Sequence, residues 1–259
     1  MLEINKIYQG DCLELMPEIP DKSIDMILAD VPYGTTACKW DTIIPLEPMW
    51  EQLKRVIKLN GAIVMTASQP FTTTLISSNM KMFKYEWIWM KSRAVGFPNA
   101  KNKPMNKHEN VLIFSKGDCA NRCKLRMNYY PQELIEINKQ VNGIKVCKGD
   151  VDGHGFARPS HKKKRIQQYT NFPNSILSIA NVGNTVHPTQ KPVALFEYLI
   201  KTYTNEGDTV LDFVIGSGTT AVACIRTNRN FIGMELDKNY YDIACKRVEQ
   251  ELAQTKLKL

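Results

Sequence analysis

Apolar positions along the chain fall into short runs separated by helix-length stretches in which apolar and polar residues alternate with a helical period. The run at 23–29 opens on polar residues and closes at Asp30 and Pro32, which predicts a buried strand ending in a sharp turn. A helix is expected over 48–59, stopped by Asn60-Gly61, then a second strand at 62–67, a helix at 71–82, and strands at 85–90 and 110–114. The pattern breaks over 116–185, a polar stretch interrupted by glycine and proline and lacking a sustained period. It resumes with helix 192–203, strand 209–213, helix 219–227, strand 231–235 and helix 239–253. Strands alternating with helices imply an α/β fold, a mostly parallel, doubly wound sheet with helices on both faces. Residues 1–115 and 186–259 are expected to form that domain, with 116–185 inserted into it as a basic lobe.

Charge sharpens the picture of the insert. The 259-residue chain carries a net charge of +8, and residues 116–185 hold twelve Lys or Arg against five acids, most of that excess. The densest cluster is His161-Lys162-Lys163-Lys164-Arg165, read either as a phosphate-binding segment or as a solvated basic loop. A polyanionic partner fits this distribution. No apolar stretch approaches the roughly 18 residues of a membrane helix, and the first residues lack the layout of a signal peptide, so a cytoplasmic location without membrane contact is expected. Seven scattered cysteines fit free thiols in a reducing compartment. Cys119, Cys123, Cys147 and His154 are too irregularly spaced to read as a zinc site, and no metal is expected.

Two segments carry candidate chemistry. In Asp212-Phe213-Val214-Ile215-Gly216-Ser217-Gly218-Thr219 a strand enters a glycine-containing turn that opens a helix, where backbone can approach a ligand closely. Glu235 closes the next strand 23 residues after Asp212, where an acid can accept hydrogen bonds from both ribose hydroxyls. The pair points to a nucleoside-bearing cofactor. A dinucleotide fold is a competing reading, although Ala221 interrupts the full glycine fingerprint. The second segment, Asp30-Val31-Pro32-Tyr33-Gly34, sits at the carboxyl end of a strand. Asp30 and the Val31 carbonyl can accept hydrogen bonds from an amino group, Pro32 constrains the backbone and Tyr33 offers a stacking face. The same residues would also serve as a β-turn with a surface tyrosine.

These two motifs, in this order and separated by a basic insert, resemble the β-group of amino-type DNA methyltransferases along nearly the whole chain. Further matches are Gly10-Asp11-Cys12, His108-Glu109 and, most specific, His187-Pro188-Thr189-Gln190-Lys191-Pro192. The resemblance implies a Rossmann-like class I methyltransferase fold with circularly permuted motif order and S-adenosylmethionine as cofactor. It implies that Asp11, with Cys12 beside it, meets the cofactor adenine and Glu235 the ribose. Gly216 and Gly218, with Ser217 and Thr219, would turn around the methionine part, and Thr189, Gln190 and Lys191 would lie by its carboxylate. His187 would orient this loop. A target base in double-stranded DNA would be flipped out and stacked on Tyr33, its amine held by Asp30 and Val31, with the insert as target-recognition region.

An Asp-led motif is the form usual for N6-adenine enzymes of this family, so a sequence-specific adenine N6-methyltransferase is expected. The alternatives are an N4-cytosine enzyme, an RNA amino-methyltransferase and a catalytically weak DNA-binding subunit. A homodimer and a cognate restriction enzyme would suit the family. Two departures stand out: Val31 replaces the first proline of the catalytic motif, and Phe213-Val214 replaces Pro-Phe in the cofactor motif. No cysteine lies in either motif, which argues against cytosine C5 chemistry; Cys12 and Cys38 read as packing residues, and so do Trp87 and Trp89.

Overall fold

The structure, a computed structural model, describes residues 1–34, 42–141, 164–181 and 190–256. Eight strands form one sheet: β1 (Lys6–Gln9), β2 (Ile24–Ala29), β3 (Ile57–Ala67), β4 (Phe83–Val95), β5 (Asn106–Phe114), β8 (Ile176–Ser178), β9 (Thr209–Asp212) and β10 (Asn230–Glu235). Their order across the sheet is β1-β10-β9-β2-β3-β5-β4-β8. Only β5 runs antiparallel to its neighbours β3 and β4; the other pairs are parallel. The sheet is therefore mostly parallel, as the alternation of strands and helices requires.

Side chains alternate between two cores. Ile27 and Ala29 of β2, Ile63 and Met65 of β3 and Leu112 and Phe114 of β5 face one core. That side is covered by α1 (Cys12–Leu15), α2 (Leu46–Val56) and α3 (Phe71–Ser78) through residues such as Trp50, Leu53 and Leu75. Met26, Leu28, Val64, Val111 and Ile113 face the other core, covered by α4 (Val193–Tyr203) and α5 (Thr219–Arg226), with Val248 of α6 (Lys238–Lys256) packed against it. Burial on both faces is why β2 reads as a continuous apolar run. Its one charged member, Asp25, is satisfied at 2.6 Å by Lys58 Nζ and at 3.1 Å by the Thr209 amide.

The chain expected at 48–59 as helix turns strand at Ile57, because Ile24 and the 62–65 segment draw this stretch into pairing with β2. β1 and β8 are too short to have announced themselves in the sequence. Trp87 and Trp89 are buried, their indole nitrogens bonded to the Tyr203 hydroxyl at 2.7 Å and the Ile179 carbonyl at 2.8 Å.

The chain divides into two compact units, Met1–Tyr130 with Ser175–Leu259, and Pro131–Asn174. Thus 116–130 and 175–181, placed by sequence in the insert, belong to the larger unit, and β8 joins its sheet. In the smaller unit β6 (Ile135–Val141) pairs antiparallel with β7 (Arg165–Thr170), and the Asn171 amide donates to the Glu133 carbonyl at 2.8 Å. Among the described residues no helix is long and apolar enough to cross a membrane.

Candidate active site

Strand order reverses between β9 and β2, which are adjacent but lie far apart in the chain. In open α/β sheets the crevice beyond the carboxyl ends of strands at such a point is where ligands bind. Here β2 ends just before Asp30 and β9 at Asp212, so the two motifs meet across one sheet edge. A cleft of about 850 Å³ lies there, within the range of small-molecule sites. Its walls include Asp30, Val31, Pro32 and Tyr33 from one motif and Asp212, Phe213, Gly216, Ser217, Thr219 and Glu235 from the other. Asp11, Cys12, Gln190 and Lys191 also line it.

The glycine turn is built by tertiary hydrogen bonds. Glu235 accepts from the Gly216 amide through one carboxylate oxygen and from the Asp237 amide through the other, each at 2.8 Å. Burial raises the Glu235 carboxyl above its usual range despite these donors. Gly216 has a left-handed φ of 53°, and a Cβ there would meet nothing within 4 Å, leaving room above the backbone. Gly218 does a different job. At φ 84° it caps α5, and a Cβ would lie 3.1 Å from Ala244, so its absence lets α6 pack close. Asp212 is fully enclosed and accepts from the Val214 amide at 3.1 Å and from the Thr220 hydroxyl; burial pushes its carboxyl up to about 7. It shapes the turn from beneath. Arg247 reaches Ser217 Oγ at 3.0 Å and also bonds its carbonyl.

Phe213 is 1% exposed and packs in the core, while Val214 is the partly buried neighbour that also lines the cleft. The one-position displacement in the sequence thus leaves a buried ring and a smaller aliphatic side chain next to each other in the cleft wall, within the turn that follows β9. Asp11 caps α1, accepting from the Leu13 amide at 2.8 Å. Cys12 is buried beside it, and burial followed by the Asp11 charge pushes its thiol up to about 12, so it is an unreactive wall.

The second motif is wired more densely than its sequence suggests. Asp30 Oδ1 accepts from the Tyr33 hydroxyl at 2.9 Å and from the Thr66 hydroxyl, which the β3 end supplies. Asp30 Oδ2 accepts from Lys191 Nζ at 2.5 Å. Lys191 is 6% exposed and also lies 3.4 Å from Glu109 Oε2, while Lys91 pairs with Glu109 Oε1. Burial alone would lower the Lys191 ammonium, but the charges of Asp30 and Glu109 outweigh it and raise it. The Tyr33 ring stacks on Phe71, centroids 5.7 Å apart, and Lys191 Nζ sits 5.7 Å from its centre. Burial and the neighbouring Asp30 charge hold the Tyr33 phenol far above its usual value, so it acts as a donor to Asp30.

Sequence reasoning did not find Thr66, Phe71 or the Lys91–Glu109 pair as parts of this site. Thr66 had a signal, a lone hydroxyl in the apolar run of β3; the Lys91–Glu109 pair depends on the strand pairing that sets Trp89 against Glu109, and Phe71 on the packing of α3 against Tyr33. Lys164 is exposed and Arg165 begins β7, whereas Thr189, His187, Lys162, Lys163, Cys38, Cys147 and His154 lie outside the described residues.

The family model described as DNA methylase, covering N6 and N4 enzymes, matches residues 24–246. The Type II methyltransferase M.BglII of Bacillus subtilis is 30% identical, over 93% of this chain and 68% of its own length. M1.MboII of Moraxella bovis is 28% identical over 94% of this chain and 96% of its own. Among solved structures, the M1.HpyAVI–SAM complex superposes with a TM-score of 0.60 at 24% identity, covering 93% of this chain and 98% of that one. The PvuII DNA methyltransferase (cytosine-N4-specific) gives 0.65 at 17% identity, covering 93% and 85%. These likenesses fix the fold as the Rossmann-like class I methyltransferase type. The family match, joined to relatives alike along more than nine-tenths of the chain, places this protein in the N6/N4 DNA methylase family.

Proposed function

We propose that the protein transfers a methyl group from S-adenosylmethionine to N6 of adenine within a specific sequence of double-stranded DNA. The observation that carries this reading is the way Asp30 is held. A carboxylate offers about four acceptor sites. Tyr33 and Thr66 occupy Oδ1 and Lys191 takes one site on Oδ2, which leaves one acceptor site beside the Val31 carbonyl in a residue that lines the cleft. An exocyclic amine delocalises its lone pair into the ring and is a weak nucleophile. Two acceptors fixed at its protons favour a more tetrahedral nitrogen, and fixing them in advance is where the rate advantage arises.

S-adenosylmethionine supplies an electrophilic methyl on a sulfonium. The residues present fit it: Glu235 and Asp11 flank the nucleoside end, and the open backbone at Gly216 leaves room for the methionine part. The M1.HpyAVI structure that shares this fold is a complex with the same cofactor, which supports this assignment. Adenine is favoured by the Asp-led motif. The N4-specific PvuII relative in fold keeps cytosine as the second reading. Lys162, Lys163, Lys164 and Arg165 would meet phosphates, and the Type II names of the relatives support a restriction–modification setting in the cytoplasm, with a cognate restriction enzyme and a homodimer as further expectations.

The test is methyl transfer from radiolabelled S-adenosylmethionine to unmethylated genomic DNA, followed by nucleoside analysis, with Asp30→Ala alongside. Label in N6-methyladenine that vanishes in the variant is the expected result. Label in N4-methylcytosine would replace adenine by cytosine, and absence of label together with absence of cofactor binding would refute the reading.

A further inference from the structure

Resting on that reading, we propose that the turn joining β4 to β5 is a second DNA-contacting element, which sets Phe97 against the duplex next to the place the target base leaves. β4 and β5 pair antiparallel through Trp89 with Glu109 and Met90 with His108, then slip register before Val95 pairs with Asn106. β4 runs parallel to the strands that end at the cleft, so the hairpin projects from the same sheet edge. Lys91 and Val95 line the cleft itself. Phe97 lies two residues beyond Val95, within about 7 Å at the strand rise.

The turn is ordered by its own backbone. Gly96 takes φ 96°, Asn99 and Ala100 donate to the Gly96 and Phe97 carbonyls at 3.0 Å, and Asn102 donates to Asn99 at 2.9 Å. Phe97 is presented on this frame 77% exposed. One exposed ring means little by itself. Its surroundings distinguish it: from Lys91 to Lys107 there are five cations and no acid. Lys91 is engaged by Glu109, but Arg93, Lys101, Lys103 and Lys107 are exposed, and among the described residues none of them has an acidic partner within ion-pair distance. Four unneutralised cations around an apolar tip match a polyanion that also offers an apolar interior. Cations bind phosphates, and an apolar wedge entering a base step replaces part of the stacking lost when a base is extruded.

The experiment compares the full-length wild type with Phe97→Ala and with an Arg93→Gln/Lys101→Gln/Lys103→Gln variant. Methyl transfer is measured on native and on heat-denatured unmethylated genomic DNA, and binding to a 40-base-pair mixed-sequence duplex is measured across a salt series. Phe97→Ala is expected to lose tenfold or more on native DNA and no more than threefold on denatured DNA. The triple variant is expected to flatten the slope of log affinity against log salt by about 2 to 3, at roughly 0.9 per phosphate contact. Equal losses on both DNAs, or no loss, would overturn the wedge, and an unchanged slope would overturn the phosphate contacts. The salt series needs no catalysis, so it tests the tip even if transfer to DNA fails and the proposed activity falls with it.

Discussion

Lys191 is the hinge of the buried charge network, and replacing it tests whether that network exists as the geometry describes. In Lys191→Met the stem volume stays and the ammonium goes. At an effective dielectric of about 20, a charge 2.5 Å from Asp30 and 3.4 Å from Glu109 interacts with them by about 7 and 5 kcal/mol. Most of this is offset by the cost of burying the ammonium, whose exposure is 6%. Removing one partner nevertheless leaves carboxylates uncompensated, and such truncations cost about 3–5 kcal/mol. Glu109 keeps Lys91, so the burden falls on Asp30, whose side chain is 24% exposed and can recover some hydration; the lower end, about 3 kcal/mol, is expected. For a unit of this size that lowers Tm by roughly 10 °C. The assay is urea unfolding at pH 7.5 of wild type, Lys191→Met, Asp30→Asn and the double variant. Because Asp30→Asn removes the charge that Lys191 answers, the double variant is expected to recover at least 2 kcal/mol relative to additivity. A coupling below about 0.5 kcal/mol would refute the buried pair.

Asp212 gives a pH-dependent outcome. Its carboxyl is raised from 3.8 to about 7 in the folded state, so between those values the folded protein holds a proton that the unfolded chain has released. Stability contributed at this position therefore falls as pH rises through that window, by up to about 4 kcal/mol. Asp212→Asn stays neutral, so its stability relative to wild type should climb from pH 4 to pH 8; a flat difference would contradict the enclosed, proton-holding carboxyl. At Glu235, where both oxygens accept from backbone amides, Glu235→Gln replaces one acceptor by a donor and opposes an amide. Calorimetric binding of S-adenosylmethionine should weaken tenfold or more, and unchanged affinity would show that the Gly216 turn holds without it.

What could be read from the chain was whatever short-range pattern dictates. Continuous apolar runs marked β2 and the middle of β3, because strands covered on both faces cannot afford polar side chains, and the glycine turn after Asp212 announced itself because a positive φ and close packing on Ala244 demand glycine. The two motifs were legible as separate sites. Tertiary structure alone made them one: β9 lies beside β2 although some 180 residues separate them, since the sheet reverses its winding there. The same holds for Asp30. Its carboxylate was plain in the sequence, but of its three donors only Tyr33 is local; the other two come from β3 and from the segment before α4, so the number of acceptor sites left for an amine depended on tertiary neighbours. Likewise Phe213 was visible as a displaced ring, and only the tertiary structure decided that it packs in the core while sharing the cleft wall with Val214. Local sequence governs torsion and periodicity, while long-range pairing governs which charges must share a buried space, and the chemistry of this site lies in the second.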